Sequence, residues 1–295
     1  MPVGKRVILF HTAFYSRIVK MLPEIGKVEL IKYIPTTITH GIYHILDINR
    51  REITYDKYCM YYRMKRAGIS IPEIYFVTDG RFNNIGETSA DEKNLQKLSS
   101  MNKIIGKPRS ANAGEGVYFY TGRKIKPNYV YQQYVENHQH ISTFQGNDYC
   151  STVRYVVYNV KDSMFPMGAR IRINAGNLVD HAKTGTSCAI VNHKTGVIIS
   201  DGFFSNGKTY QTHPVSGITE KGYKLPNWKM CLREIKKTCN EYRELPLIAF
   251  DIVITEDNCK ILEINAGCGT LISQYQERWH DHQFVKDFYK NTRCG

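Results

Sequence analysis

The stretch Leu247–Thr270, L-I-A-F-D-I-V-I-T-E-D-N-C-K-I-L-E-I-N-A-G-C-G-T, constrains this chain more than any other. It reads as two apolar strands, Leu247–Thr255 and Lys260–Ile264, joined by a short polar turn. Each strand is interrupted by one acid: Asp251 in the first, Glu263 in the second, with Asn265 two residues beyond. Side chains alternate faces along a strand, so Glu263 and Asn265 share a face. A three-residue loop, Glu256-Asp257-Asn258, pairs Thr255 with Cys259 and sets Asp251 opposite Glu263. Opposed side chains share a face, with Cβ atoms roughly 5 Å apart. Carboxylates that close repel each other, and burial makes the repulsion worse. A hard divalent cation removes the problem, and carboxylate plus amide oxygens suit Mg²⁺, which takes one or two carboxylates plus substrate phosphates. The structural alternative is a polar pair held by Arg or Lys on a sheet face. The apolar flanks and the specific register favour metal.

Charge points the same way. Lys and Arg number 40 against 27 Asp and Glu, a net +13, which indicates a polyanionic partner: nucleotide, nucleic acid, acidic glycan or an anionic membrane face. With 42% apolar and 23% charged residues the composition is globular, and 295 residues make one large domain or two to three lobes. No run of about 18 apolar residues occurs, which excludes a spanning helix. Val7-Ile8-Leu9-Phe10 is too short for a signal-peptide core, so the expected location is cytoplasmic. The eight cysteines show no C-x-x-C spacing and read as reduced, buried thiols.

Along the chain, Asp56–Ala67 has helical spacing with Gly68 as its stop, Ile69–Val77 reads as a strand interrupted by Pro72, and Ser89–Ser100 as a polar helix capped by Ser89 and Glu92. Strands follow at 104–108, 117–120, 130–135, 151–160, 167–174 and 189–200, then a helix at 228–243, the hairpin, and a closing helix at 270–289. Many strands are hairpin-linked, so the expected class is α+β. Between the strands at 104 and 117 lies G-K-P-R-S-A-N-A-G-E-G-V. It is neither a Walker A loop nor a Rossmann turn. Taken alone it reads as a flexible hairpin loop; the phosphate alternative is that its small residues, Ser110 among them, let backbone N–H groups approach phosphate oxygens, with Lys107 leaving the strand within reach of the same phosphates. Thr152 and Arg154 share a strand face, as do Arg170 and Arg172. Such an arginine wall can orient a carboxylate and stabilise charge on a transferring phosphoryl group. Asp180, His181 and Lys183 read either as lining the same cleft or as a loop salt bridge, and His213, before Pro214, either as an acceptor-site residue or as exposed polar surface. His280-Asp281-His282 reads as helix surface, because i and i+2 do not face each other. No nucleic-acid-binding motif is visible.

Lys107 with its loop, Gln132-Gln133-Tyr134-Val135-Glu136, then Asp251, Glu263 and Asn265 in order resemble an ATP-grasp enzyme, specifically the sugar-transfer-associated ATP-grasp family. The likeness includes D-K-Y (56–58), G-I-x-I-P-E-I-Y (68–75), K-P-R-S (107–110), T-V-R (152–154), R-I-R (170–172), V-D (179–180), H-P (213–214), L-P-x-W (225–228) and L-E-I-N (262–265), covering roughly residues 50–275. The chain departs from the family pattern at Asp180-His181 and Lys183-Thr184-Gly185-Thr186, on the acceptor side.

The resemblance implies an ATP-grasp fold, with nucleotide clamped between two α+β lobes with antiparallel sheets. It implies Lys57 and Lys107 on the phosphates, Gln133, Tyr134 and Val135 in the adenine hinge, Glu136 on the ribose, and Asp251, Glu263 and Asn265 on Mg²⁺. The expected division is an N-terminal domain at 1–100, a lid subdomain with glycine loop and hinge at 101–140, and a C-terminal lobe with the metal site at 141–295. The expected activity is ATP- and Mg²⁺-dependent carboxylate–amine ligation through an acylphosphate. No protein nucleophile is then required, and no Ser/His/Asp or Cys/His constellation is found. By resemblance the substrates are a small-molecule or glycan carboxylate and an amine belonging to cell-surface polysaccharide or capsule synthesis, with peripheral contact to membrane-bound polysaccharide machinery and no nucleic acid. The alternatives are an ATP-grasp phosphotransferase and a non-catalytic polyanion-binding protein.

Overall fold

The computed structural model describes residues 52–81, 92–101, 103–111, 114–160, 162–180, 185–266, 268 and 282–292. In chain order these form α1 (Glu52–Tyr55), α2 (Lys57–Arg66), β1 (Ile74–Val77), α3 (Glu92–Met101), β2 (Ile104–Pro108), β3 (Tyr118–Tyr120), β4 (Tyr129–Gln133), α4 (Gln139–Gln145), β5 (Thr152–Val160) and β6 (Ser163–Ile173). There follow β7 (Ser187–Val191), β8 (Gly202–Phe204), β9 (Thr209–Tyr210), α5 (Trp228–Glu241), β10 (Leu247–Ile254), β11 (Cys259–Ala266) and α6 (Gln283–Thr292). Among the described residues strand exceeds helix, and the strand pairings are antiparallel, in a four-stranded sheet β1-β4-β2-β3 and a seven-stranded sheet β11-β10-β5-β6-β7-β8-β9. The expected boundary at residue 100 falls inside the smaller sheet, because β1 pairs with β4.

Local chemistry sets the elements. Asp56 caps α2 by accepting the N–H groups of Tyr58 and Cys59, and Gly68, at φ +64°, ends it. Met60, Tyr61 and Met64 of α2 and Cys231 and Ile235 of α5 bury against Ile248, Phe250, Ile252 and Ile254 on one face of the large sheet. Each such side chain contributes about 1.5–3 kcal/mol on transfer from water. β10 is buried at all eight positions, being flanked by β11 and β5 and covered on both faces, which explains its near-continuous apolar run. On the opposite face, Phe284 and Val285 of α6 pack on Leu247, Ala249, Val156 and Met167. In the small sheet, α3 covers Ile104, Tyr120 and Tyr131 with Leu95. Ile105 on the other side meets Val253 of β10, Tyr134 and Cys150, joining the two sheets at a hinge.

Three expectations change. The strand at 189–200 stops at Val191, because Asn192 accepts the N–H groups of Lys194 and Thr195 and Gly196 (φ +76°) turns the chain. The hairpin turn has four residues, not three: Ile254 pairs with Cys259, and the Thr255 N–H donates to the Asn258 carbonyl at 3.0 Å. A β-bulge at Leu262 compensates, so Asp251 still faces Glu263. Third, His282 is not helix surface. It is buried, and its Nδ1 accepts the Phe284 N–H at the start of α6. Ser89, His280 and Asp281, and the first part of the expected closing helix, lie outside the described residues.

Candidate active site

The bulge at Leu262 builds the site. Core-facing residues of β11 are Cys259 and Ile261 before it, Ile264 and Ala266 after it. The parity switch turns Glu263 and Asn265 onto the face that carries Asp251. The register continues that row across the sheet, Asp251 opposite Arg154 and Arg154 opposite Arg170, with Thr152 opposite Arg172 and Arg172 opposite Cys188 beside it.

Over this face, toward the small sheet, opens a cleft of about 510 Å³. That is within the usual range for small-molecule sites. It brings together Lys107, Gln133, Tyr134, Val135, Thr152, Arg154, Arg170, Arg172, Asp180, Asp251, Glu263 and Asn265 from the sequence expectations. Gly114 and Val117 of the glycine loop line it too, and Gly114 lies so close to Val179 that an added Cβ would come within 2.2 Å of it. Four cationic side chains, Lys107, Arg154, Arg170 and Arg172, face three carboxylates, Asp180, Asp251 and Glu263, leaving a net +1 before any ligand enters.

Asp251 does not confront Glu263 unneutralised. Its Oδ1 lies 2.6 Å from Arg154 Nε and 2.7 Å from Arg172 Nη2, and its Oδ2 accepts from Arg154 Nη2 at 3.0 Å. Burial pushes its carboxyl up, but Arg154 and Arg172 outweigh burial and hold it below the ordinary value. The two arginines therefore relieve the repulsion between the acids without a cation, and the arginine alternative is realised at this residue. The metal still fits the donor set. Asp251 Oδ1 is buried with no well-aligned hydrogen bond, and the side chains of Glu263 and Asn265 line the cleft with no hydrogen bond or ion pair among the described residues. These are hard oxygen donors. Among the described residues no group of three His, Cys, Asp or Glu could hold a metal, so Mg²⁺ here would complete its shell with phosphate and water, as it prefers.

Arg172 also contacts Asp180 at 3.2 Å, and Asp180 accepts the Thr152 N–H at 3.1 Å. Burial drives the Asp180 carboxyl up against the pull of Arg172 and Thr152. Arg172 and Arg154 thus spend their charge on Asp180 and Asp251, whereas Arg170 forms no ion pair among the described residues and buries its Nε unpartnered. Burial lowers the Arg170 guanidinium to about 10. Lys107 is buried at the other wall and donates to the Tyr61 hydroxyl. Burial drives its ammonium down to about 7, with Lys57 pushing the same way and Glu263 and Asp251 opposing.

Other expected residues lie elsewhere. Lys57 is buried behind the glycine loop and donates from Nζ to the Ala111 carbonyl at 2.6 Å, so in this structure it braces the loop rather than lining the cleft. Ser110 is exposed and outside the cleft. Glu136 is exposed too and pairs with Lys103 at 2.7 Å. His213 is buried against Tyr210, its ring lowered in pKa by burial and its Nδ1 accepting the Ser216 N–H, away from the cleft. His181, Lys183, Asn112 and Ala113 lie outside the described residues. The sequence reading missed Tyr61, although it lies four residues after Lys57 on one helix face. It also missed Cys188 and Phe203, which carry no motif signal, and gave no site role to Gln132 and Thr186, which it named only as parts of longer motifs.

Among solved structures the chain is similar to the D-alanine-D-alanine ligase of Helicobacter pylori, at 15% identity over 82% of this chain and 61% of that one, with a TM-score of 0.46. It is similar to the L-amino acid ligase of Bacillus licheniformis at 11% identity, covering 76% of this chain and 43% of that one, TM-score 0.43. The N5-carboxyaminoimidazole ribonucleotide synthetase of Thermotoga maritima aligns at 11% identity over 72% and 42%, TM-score 0.40; this chain thus spans less than half the length of the last two. No curated protein matches the sequence. The sugar-transfer associated ATP-grasp family matches residues 119–278, more than half of the chain and the segment holding the hinge strand, the arginine row and the carboxylate hairpin; the chain belongs to that family.

Proposed function

We propose that this protein is an ATP- and Mg²⁺-dependent carboxylate–amine ligase that modifies a cell-surface polysaccharide or its sugar precursor with an amino acid or amine. The observation that supports it is the single cleft in which Lys107, the strand end Gln133–Val135, the arginine row and the side chains of Glu263 and Asn265 converge. Gln133–Val135 presents backbone groups to a purine, and Lys107 and the loop at Gly114 take the phosphates. Glu263 and Asn265, with Asp251 behind them, would hold Mg²⁺, which when bound neutralises charge on the transferring phosphoryl group. Arg170, which forms no ion pair among the described residues, takes the substrate carboxylate. A carboxylate oxygen attacks the γ-phosphorus and ADP leaves; the amine then attacks the acyl carbon, phosphate leaves and the amine loses a proton. The side chains contribute by position and preorganised charge. The family match supports the ATP-grasp part of this reading, and the ligases among the structural neighbours suggest the reaction class. The polysaccharide link rests on the family's description.

The test is ATP consumption with Mg²⁺ across amino acids and uronic-acid sugars, with product masses recorded. Phosphate released only when both carboxylate and amine are present supports ligation. A stable phosphorylated product formed without amine identifies a phosphotransferase instead. No ATP turnover with any pair, together with polyanion binding unaltered in Glu263→Gln, leaves the binding-protein alternative.

A further inference from the structure

Among the described strands β11 lies at the edge of its sheet, and an exposed edge is ordinarily protected. Here the segment 54–70 covers it through side chains and the Ser70 backbone. The Ala266 N–H donates to Thr54 Oγ1 at 3.5 Å, Ser70 Oγ donates to the Cys259 carbonyl at 2.7 Å, and the Ile261 N–H donates to the Ser70 carbonyl at 2.9 Å. The contact at the bulge differs from these. Tyr61, fully buried on α2, donates its hydroxyl proton to the Leu262 carbonyl at 2.6 Å and receives a hydrogen bond from Lys107 Nζ. A phenol has one proton to give, and an ammonium can only donate. Both capacities of the hydroxyl are thereby committed, with one arrangement available. One side of it fixes the lysine of the phosphate wall. The other fixes the carbonyl of the extra residue that turns Glu263 and Asn265 into the cleft; without that bulge Glu263 would fall opposite Phe250, on the core face. Lys57, one turn earlier, and Asp56, which pairs with Arg109, tie the same helix to the glycine loop.

We propose that Tyr61 is a positioning residue that couples Lys107 to the bulged strand carrying Glu263 and Asn265, so that the phosphate-binding and metal-binding sides of the cleft are set by one hydroxyl. What the cleft holds rests on the ligase reading above; the coupling itself does not.

The experiment uses the full chain as wild type, Tyr61→Phe, Lys107→Met and Glu263→Gln. Calorimetry measures the affinity for a non-hydrolysable ATP analogue, AMP-PNP, with and without Mn²⁺. Lys107→Met should weaken metal-free binding about tenfold and keep the gain from Mn²⁺. Glu263→Gln should keep metal-free binding and lose the gain. Tyr61→Phe should reduce both, each about fivefold, whereas a merely structural role lowers melting temperature and moves neither. A Tyr61→Phe protein that moves one or neither overturns the proposal. Amide hydrogen exchange without ligand is the independent measurement. Exchange across 262–266 and across 105–108 should accelerate together in Tyr61→Phe, and across 262–264 in Lys107→Met, which leaves α2 intact should the first variant not fold. Unchanged exchange there sinks the coupling. A wild type that binds no AMP-PNP sinks the ATP reading, and exchange then decides the coupling alone.

Discussion

Asp251 and Glu263 look equivalent in the sequence, each a lone acid in an apolar strand, yet their surroundings give them different work. Asp251 neutralises Arg154 and Arg172, with side chains 11–16% exposed. Removing its charge leaves two guanidinium groups underpaired, and breaking a buried pair in this way costs roughly 3 kcal/mol or more. Glu263 has no protein partner among the described residues. Its replacement by Gln is expected to change stability by less than about 0.5 kcal/mol. Urea denaturation should therefore find Asp251→Asn clearly destabilised and Glu263→Gln near wild type, while Mg²⁺-dependent ATP turnover is lost in both. Equal stabilities would contradict the ion-pair geometry. Lys107 supplies the pH dependence. Its folded pKa of about 7 lies below the ordinary lysine value of 10.5, so the cost of burying its charge is fully present below pH 7 and is relieved as pH rises toward 10.5. Phosphate binding favours the charged form, so affinity runs the other way. AMP-PNP binding should weaken above pH 7, by up to about tenfold per pH unit, with proton uptake measurable by calorimetry in two buffers. Lys107→Met should bind more weakly at pH 6 and lose the slope. The residue types at these positions were legible in the sequence; the division of labour between the two acids was not, because it depends on which strand lies on each side of β10.

At the level of elements, the hairpin shows two departures that cancel. The turn is one residue longer than the spacing of Glu256-Asp257-Asn258 suggested, and the bulge at Leu262 restores the pairing of Asp251 with Glu263. Local sequence carries the alternation of a strand but not an extra residue whose carbonyl is satisfied by a tyrosine roughly two hundred positions away, since that bond exists only after α2 docks. The same limit applies to His213, whose exposure could not be read from H-P and which packs on Tyr210. The glycine loop gives the prediction for this scale. Gly114 sits at φ +73° with Val179 of the facing segment against it. Gly114→Ala combines a left-handed backbone, costing about 1 kcal/mol, with a clash that must lift the loop or displace Val179. The expected outcome is a weakened affinity for nucleotide of about tenfold with little change in the Mn²⁺ gain. An affinity equal to wild type would show that the loop does not close on phosphate.

For the whole molecule, the cleft lies between two sheets joined through the cluster of Ile105, Tyr134, Val135, Cys150 and Val253. A ligand that touches both sheets binds only the folded arrangement. At a concentration a hundred times its dissociation constant it should stabilise the protein by about 2.7 kcal/mol. For a chain of this length that raises the melting temperature by roughly 4 °C, readable by calorimetry with Mg²⁺ and AMP-PNP. No shift at saturating nucleotide would count against a ligand bridging the sheets. Among the described residues no helix is long and apolar enough to cross a membrane, consistent with the absence of a long apolar run. The mixed helix and antiparallel class, the carboxylate hairpin, the lysine before the glycine loop and the arginine pairs are legible in the residues alone. Each is written in local periodicity, and a strand or helix forms its faces from its own residues. That Asp251 belongs to the arginines, that Lys57 braces a loop, and that Tyr61 stands between Lys107 and the bulge emerges once the elements pack. Those outcomes depend on contacts between residues far apart in the chain, where burial and charge are set by neighbours that no local pattern names.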